Sequence, residues 1–360
     1  MTGVARWQAD RRVLIAITVV FVLINTGIGW FSALPQALID ADSTTFERMA
    51  TEFLATGAIT EEARQPLYPI AMAAAMRIAG EGGLQLLIAL QVVMLFATAA
   101  LAWLIAKDWM DRGAAAVFSL VLLNPNAVAV AHWPLADTLH ALLFTIAVWA
   151  LLAFGRKGHV QYAVVCGVAT GLAALTRPES SLLIYVLPVA LPLVRWSAGG
   201  GDVIRRGLVL GIGALVAALV VASPWMLHNQ RAGHGFAITG GAKASDNLRM
   251  HFSYAEAAQT GLPQDEALAA IWDREAQVLT DADLGNAAVA EQRQFLARYY
   301  LQETLETSPT VLAVLFGKAW VAQFASGGGQ SLNLLFGENL DRPDKIMNHP
   351  GFFGAFFSSL

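Results

Sequence analysis

Gly83-Leu-Gln-Leu-Leu-Ile-Ala-Leu-Gln-Val-Val-Met-Leu-Phe-Ala-Thr-Ala-Ala-Leu-Ala-Trp-Leu-Ile-Ala106 is a run of 24 residues without a single charge. A helix that crosses a bilayer needs about 20 mostly apolar residues. Hydrocarbon offers the backbone no hydrogen-bond partner, so a spanning segment is a helix or a closed-barrel strand, and this run is far longer than the roughly ten-residue alternations of a barrel. Comparable runs follow at 13–34, 113–131, 136–155, 160–176, 180–195, 207–227 and 308–326. The 160–176 and 180–195 runs are short, which predicts tilted, broken or partly buried helices. The fold class read from this pattern is an all-α polytopic membrane protein. Composition agrees: 56% of the 360 residues are hydrophobic and 14% charged, where a soluble domain carries about 25% charge. A net charge of −4 argues against a nucleic-acid partner. Cys166 is the only cysteine, which excludes an internal disulfide and a thiolate metal cluster.

Basic residues at the span ends set the orientation. One set of ends holds Arg6, Arg11, Arg12, Lys107, Arg112, Arg156, Lys157, Arg195, Arg205 and Arg206; the opposite set holds Arg64, Arg77, Arg177 and Arg231. This bias predicts a multi-pass protein of the bacterial inner membrane with a cytoplasmic N-terminus. The first run is longer than a signal-peptide core and lacks a clear cleavage site, so it reads as a retained anchor. Two polar regions, 35–82 and 228–306, then lie on the non-cytoplasmic side. Gly199-Gly200-Gly201-Asp202 lacks the Lys-Ser/Thr of a phosphate loop and reads as a turn.

The first external loop carries the most chemistry. Asp40, Asp42, Ser43, Phe46, Glu47 and Arg48 lead into a segment where Phe46, Met49, Ala50, Phe53 and Leu54 recur at helical spacing. This predicts a short amphipathic helix on the membrane surface, capped by Ser43 or Asp42. Arg64-Gln65-Pro66-Leu67-Tyr68-Pro69 follows, and its prolines turn and restart the chain. A carboxylate at Asp40 or Asp42 has aqueous access beside a low-dielectric wall, which raises its basicity and suits a general base acting on a hydroxyl. Helix capping in a solvated exit loop is the alternative. Asp40-Ala41-Asp42 also reads Asp-x-Asp, the metal-holding pair of nucleotide-sugar enzymes, but an external position argues against a cytoplasmic nucleotide sugar. No metal and no cofactor are expected.

These residues, taken in order, resemble the GT-C superfamily of membrane glycosyltransferases, in the branch of protein O-mannosyltransferases and lipid A aminoarabinose transferases. The likeness rests on Asp42-Ser43, Phe46, Gly57 and the Arg64–Pro69 element; on Asn124-Pro125 ahead of Asp137; on Gly167 through Gly171 to Arg177-Pro178-Glu179; and on Pro224-Trp225, His228-Asn229 and Gly233. Phe46 stands where the family usually has Tyr, and His228 where it has Arg, so a permanent cation becomes a titratable one. The resemblance covers about residues 10–235 and implies a GT-C-like helical bundle with amphipathic juxtamembrane helices in the first external loop. The corresponding organisation is a transmembrane module over 1–235 with about seven spans, an external helical loop over 236–306, and a C-terminal segment over 307–360. Family members usually continue with more helices, so the end at Gly351–Leu360 reads as a truncated reading frame, an incomplete sequence or a reduced member.

The resemblance also implies a sugar donor carried on polyprenyl phosphate and an acceptor hydroxyl on a lipid, glycan or protein, amid membrane lipids. It puts the general base on Asp42, with Asp40 as the fallback, in a single inverting displacement through an oxocarbenium-like transition state. The departing lipid phosphate needs a cation. Arg177 is the first candidate, since Pro178 suits a helix's first turn and a helix N-terminus there would add its dipole; a plain interfacial Arg paired with Glu179 is the alternative. Arg64 is the second candidate. Lys318, a charge inside the apolar run 308–326, is the third, with snorkelling as its bland reading. Asp137 and His140 share one helical face and count, with Tyr68, Glu179, His228 and Asn229, as substrate-binding candidates. In the second external region, 264–306 reads as a helical stretch with an apolar stripe of Leu268, Ile271, Trp272, Val278, Val289, Phe295, Leu296, Tyr299 and Tyr300. A transporter or lipid flippase would also explain the helices, though not the external motifs. A catalytically inactive GT-C-like scaffold is permitted by the departures at Phe46 and His228.

Overall fold

Apolar runs of this length can only bury their backbone groups as helices, and every regular element of the computed structural model is a helix among the residues it describes: 3–31, 41–60, 64–110, 113–197, 199, 203–239 and 241–314. Ten helices precede the second polar region. They are α1 (Gly3–Phe31), α2 (Ala41–Thr56), α3 (Leu67–Ala79), α4 (Gly83–Trp109), α5 (Ala114–Leu122), α6 (Pro125–Ala131), α7 (Asp137–Lys157), α8 (Val160–Ala174), α9 (Ser181–Ser197) and α10 (Val203–Arg231). Three more follow: α11 (Gly241–Thr260), α12 (Gln264–Asp281) and α13 (Val289–Glu306).

Among the described residues, five stretches are long and apolar enough to cross a membrane: Arg12–Gly29, Leu67–Trp109, Asp137–Lys157, Pro178–Ser197 and Ile204–Arg231. The run read as one span over 113–131 is instead two helices, α5 and α6, bent by 50°. The reason lies in Asn124-Pro125. The Asn124 side chain accepts from the amides of Asn126 and Ala127, and Pro125 opens the new helix, so the chain caps and restarts rather than continuing. Residues 160–176 give the short α8, as their length suggested. Apolar side chains such as Leu23, Leu120, Leu182 and Val220 stay uncovered by protein, as lipid-facing residues must. Of the run 308–326, only the part to residue 314 falls within the described residues.

Two compact units are present. The first comprises the described residues of Met1–Thr60 and Gln65–Ala222. A core cluster in it joins Phe21, Ile28, Leu95, Ala99, Phe118 and Leu122. Small residues set the spacing elsewhere. A side chain at Gly167 would run into the backbone of Ala214, and one at Gly171 would stand 2.7 Å from the Ala218 carbonyl oxygen. On the same helix α10, Gly207 and Gly211 would collide with Pro192 and Pro188 of α9. One small-residue stripe on α10 thus admits α8 and α9 at backbone contact distance, the usual way helices gain dispersion energy where lipid removes the hydrophobic drive.

The second unit comprises Arg64 and the described residues of Ser223–Ser326. The single stripe expected over 264–306 is divided between α12 and α13, because Ala282–Ala288 interrupts the helix. Only part of it is core: Ile271, Leu296 and Tyr300 close on Phe252 of α11, whereas Trp272 and Val289 are exposed. Trp272 has another task. The Arg249 guanidinium lies 5.2 Å from its ring centroid and bonds Asp246 (2.9 Å) and Glu275 (3.3 Å). The Tyr300 hydroxyl donates to the same Glu275 at 3.1 Å.

Candidate active site

The external loop folds back as two packed helices. Helix α2 is described from Ala41, with Asp42 in its first turn and Ser43 buried one residue on. Phe46, Met49 and Ala50 form the buried face, and Gly57, at φ +74°, ends the helix with its amide on the Phe53 carbonyl. The Phe46 ring meets Tyr68 edge-on at 5.0 Å between centroids. Having no hydroxyl, Phe46 fits this apolar contact at no polar cost.

Helix α3 starts after Pro66, and its first residue is pinned from far along the chain: the Leu67 amide donates to the Leu175 carbonyl at 3.0 Å. Tyr68 is 1% exposed, and its hydroxyl donates to Gln91 Oε1 at 2.6 Å. The Gln91 amide nitrogen in turn donates to the carbonyls of Ala131 (3.1 Å) and Trp133 (2.6 Å). These three bonds tie α3 through α4 to the short loop that delivers Asp137 at the start of α7. Gln91 was not among the residues singled out from sequence. Its only trace in the sequence is a Gln within a 24-residue uncharged run, which Gln85 shares; its full burial and its partners follow from the fold.

The charged cluster stands at this same end of the first unit. Arg177 follows α8, after its amide closes the helix on the Ala173 carbonyl, and Pro178 opens the 3-10 turn that leads into α9. Its Nη1 pairs with Asp137 Oδ1, and its Nε meets Glu179 Oε2 at 3.4 Å. Burial disfavours the guanidinium charge, but Asp137, Glu179 and, more weakly, Asp42 outweigh it and raise the Arg177 pKa above its ordinary value. One cation is therefore surrounded by three carboxylates from α2, α7 and the 178–180 turn. His140, one helical turn from Asp137, shares a 2.7 Å hydrogen bond between Nε2 and Ser180 Oγ and stacks on Phe144. Below it, between α7, α8 and α9, runs a cavity of about 90 Å³ lined by Phe144, Val148, Leu151, Thr170, Leu183 and Val186 among others. Among the described residues no group of three His, Cys, Asp or Glu side chains has metal-holding geometry.

Of the residues singled out from sequence, Asp42, Tyr68, Asp137, His140, Arg177 and Glu179 all fall in the first unit. Arg64, His228 and Asn229 belong to the second. There Asn229 donates to the Ala237 carbonyl at 2.8 Å, and His228 stacks on Trp225 at 4.8 Å. Asp40 and Lys318 lie outside the described residues.

Residues 63–228 match the family of dolichyl-phosphate-mannose-protein mannosyltransferases. Over that segment the chain is similar to the GT-C superfamily. A 142-residue stretch is 29% identical to undecaprenyl phosphate-alpha-4-amino-4-deoxy-L-arabinose arabinosyl transferase 2 of Proteus mirabilis, covering 38% of this chain and 25% of that protein. The chain thus spans about a quarter of the length of the curated relative it matches. The crystal structure of ArnT from Cupriavidus metallidurans in the apo state aligns at a TM-score of 0.47 and 17% identity, over 89% of this chain and 66% of that one.

Proposed function

We propose that the protein is a membrane glycosyltransferase that moves a sugar from a polyprenyl-phosphate donor to an acceptor hydroxyl on the non-cytoplasmic side. The observation that carries this reading is the cluster of Asp42, Asp137 and Glu179 about Arg177 at one end of an apolar bundle. It gathers in one place the two things such a transfer needs: a base for the acceptor hydroxyl and a cation for the leaving phosphate. Asp42 takes the hydroxyl proton as the oxygen attacks the anomeric carbon, and the bond to the lipid phosphate breaks on the opposite face with inversion. Asp137 holds Nη1 and so orients the guanidinium; the donor phosphate displaces the looser Glu179 contact and uses Nε and Nη2. An excess of carboxylate over guanidinium also favours the positive charge that develops on the sugar ring. The narrow apolar cavity one turn below His140 supports a donor with an isoprenoid tail.

The test uses purified full-length protein with a radiolabelled polyprenyl-phosphate sugar and total envelope glycolipid as acceptor. Wild type should consume the donor, and Asp42→Asn should lose about 10²- to 10⁴-fold in turnover while still binding it. Arg177→Gln should weaken donor binding, with Arg177→Lys recovering part of it. A wild type that never consumes donor of any sugar, or an Asp42→Asn enzyme at full rate, would overturn the reading; the first result favours a transporter or an inactive scaffold.

A further inference from the structure

Helix α7 carries Asp137 at one end and Arg156 and Lys157 at the other. At that far end the cations are answered in different ways. Arg156 pairs with Asp108 of α4. Lys157 donates to the Tyr162 hydroxyl at 3.0 Å and lies 5.2 Å from its ring centroid. Arg195 of α9 and Arg206 of α10 are held by backbone carbonyls instead. Arg195 Nη1 donates to the Gly155 carbonyl at 2.9 Å and to that of Arg156 at 3.4 Å; Arg206 Nη2 donates to the Gly158 carbonyl at 3.4 Å. The two guanidiniums therefore meet at Gly158, where φ is +67° and a side chain would stand 3.2 Å from the Arg195 guanidinium carbon. Arg205, next to them, is exposed. Among the described residues no carboxylate pairs with Arg195, Arg205 or Arg206.

Carbonyls position a guanidinium without neutralising it. The C-terminus of α7 supplies about half a negative charge, and the α9 C-terminus and α10 N-terminus offset one another. Against that stand three full positive charges, and the sequence between Arg195 and Arg205 adds one carboxylate, Asp202. An anion would complete the arrangement, and there is space for it. A cavity of about 330 Å³ is lined by Arg205, Arg206, Val209 and Leu210. Its wall changes from charge to hydrocarbon within one helical turn. The apolar part continues: Val209, Ile212, Val216 and Val220 follow Arg205 at spacings of three and four residues, on one face of α10, and all four are exposed. Gly213 leaves open space beside them. A small free anion would use the arginines alone, whereas a lipid uses both parts.

We propose that this cavity binds an anionic phospholipid, with the phosphate on Arg205 and Arg206 and a chain along Val209 and Ile212. Arg195, which meets Arg206 at Gly158, adds its charge to the site. The inference rests on the membrane fold and not on the transferase reading, so either can fail alone.

The test compares dioleoyl phosphatidylglycerol with dioleoyl phosphatidylcholine, which share chains and a phosphate but differ in net charge. Full-length protein in detergent is equilibrated with both, and retained lipid is counted by native mass spectrometry. One arginine near a lipid headgroup is worth about fivefold, so wild type should prefer phosphatidylglycerol by about five- to twenty-fivefold. Arg205→Gln, which breaks no bond within the described protein, should lower that preference about fivefold. Arg205→Gln with Arg206→Gln should bring it close to one, and the matching pair of lysine substitutions should keep part of it. Lys107→Gln with Lys157→Gln removes as much charge from the same helix ends and should leave the preference unchanged. Equal retention of the two lipids by wild type overturns the proposal. So does a preference that survives the double arginine change, or one that falls equally in the lysine pair, which would mark a diffuse charge effect. Excess inorganic phosphate at matched ionic strength should not displace the lipid; displacement would mark a site for free anions and overturn the assignment to lipid.

Discussion

Gln91 makes three hydrogen bonds from a site with no exposure at all. Replacing it with Leu keeps the volume and removes every one, leaving the Tyr68 hydroxyl and the Ala131 carbonyl unpaired, while the Trp133 carbonyl keeps the Leu135 amide at 2.7 Å. Each buried orphan costs about 1–3 kcal/mol, so Gln91→Leu should lower the thermal midpoint in detergent clearly, while Tyr68→Phe alone should cost less. In the double mutant the losses should fall short of additive, by about 0.5–3 kcal/mol, since both changes break one shared bond; additive losses would show that the two side chains act separately. At this scale the sequence motifs located Asp42, Asp137, Arg177 and Glu179, because charges beside apolar helix ends are conspicuous. They could not reveal Gln91. Whether a polar group in a span is paired depends on carbonyls freed elsewhere, such as Ala131 at the end of α6, and those follow only from the fold.

At the scale of the element, the α10 stripe is the most exposed to test. Gly171→Val should prevent α8 from closing on Ala218 and lower stability by about 1–3 kcal/mol, as overpacking does. Gly213 lies on the same helix with open space where a side chain would go. Gly213→Ala should therefore be neutral or stabilise by up to about 1 kcal/mol, since it only removes backbone freedom. Melting curves of the two variants side by side check both, and equal losses would mean that the close approach does not matter. Helix existence was legible from apolar runs, but breaks were not. The α5–α6 bend turns on Asn124 capping two amides, a local choice that hydropathy averages away; Asn124→Ala should cost about 1 kcal/mol. The stripe over 264–306 failed as one helix for a similar reason, as a short turn at Ala282–Ala288 re-aims everything after it.

For the whole molecule, the basic bias predicts the side on which each loop emerges. Cys166 is buried and should stay silent to maleimide in folded protein, so single cysteines report cleanly. Thr60→Cys should label from outside intact cells, and His159→Cys only after permeabilisation; the reverse pattern would invert the orientation. The second unit carries its own pH dependence. Burial and then the charge of Glu275 push the Tyr300 phenol above its ordinary pKa of 10.0. The unfolded phenol therefore ionises first, and the stability present at lower pH is lost progressively as pH rises above about 10. Between pH 9 and 11 wild type should lose more stability than Tyr300→Phe, measured by helical signal on heating.

The bond from Leu67 to Leu175 joins positions about 110 residues apart. At a synthesis rate of roughly 5–20 residues per second, the nascent loop waits on the order of 5–20 s before its tether has even been made. During that interval the start of α3 has no partner for the Leu67 amide. The charged cluster is thus completed late in the chain's own birth: a ribosome that stalls before residue 175 leaves a fragment that holds Asp42 and Asp137 without Arg177.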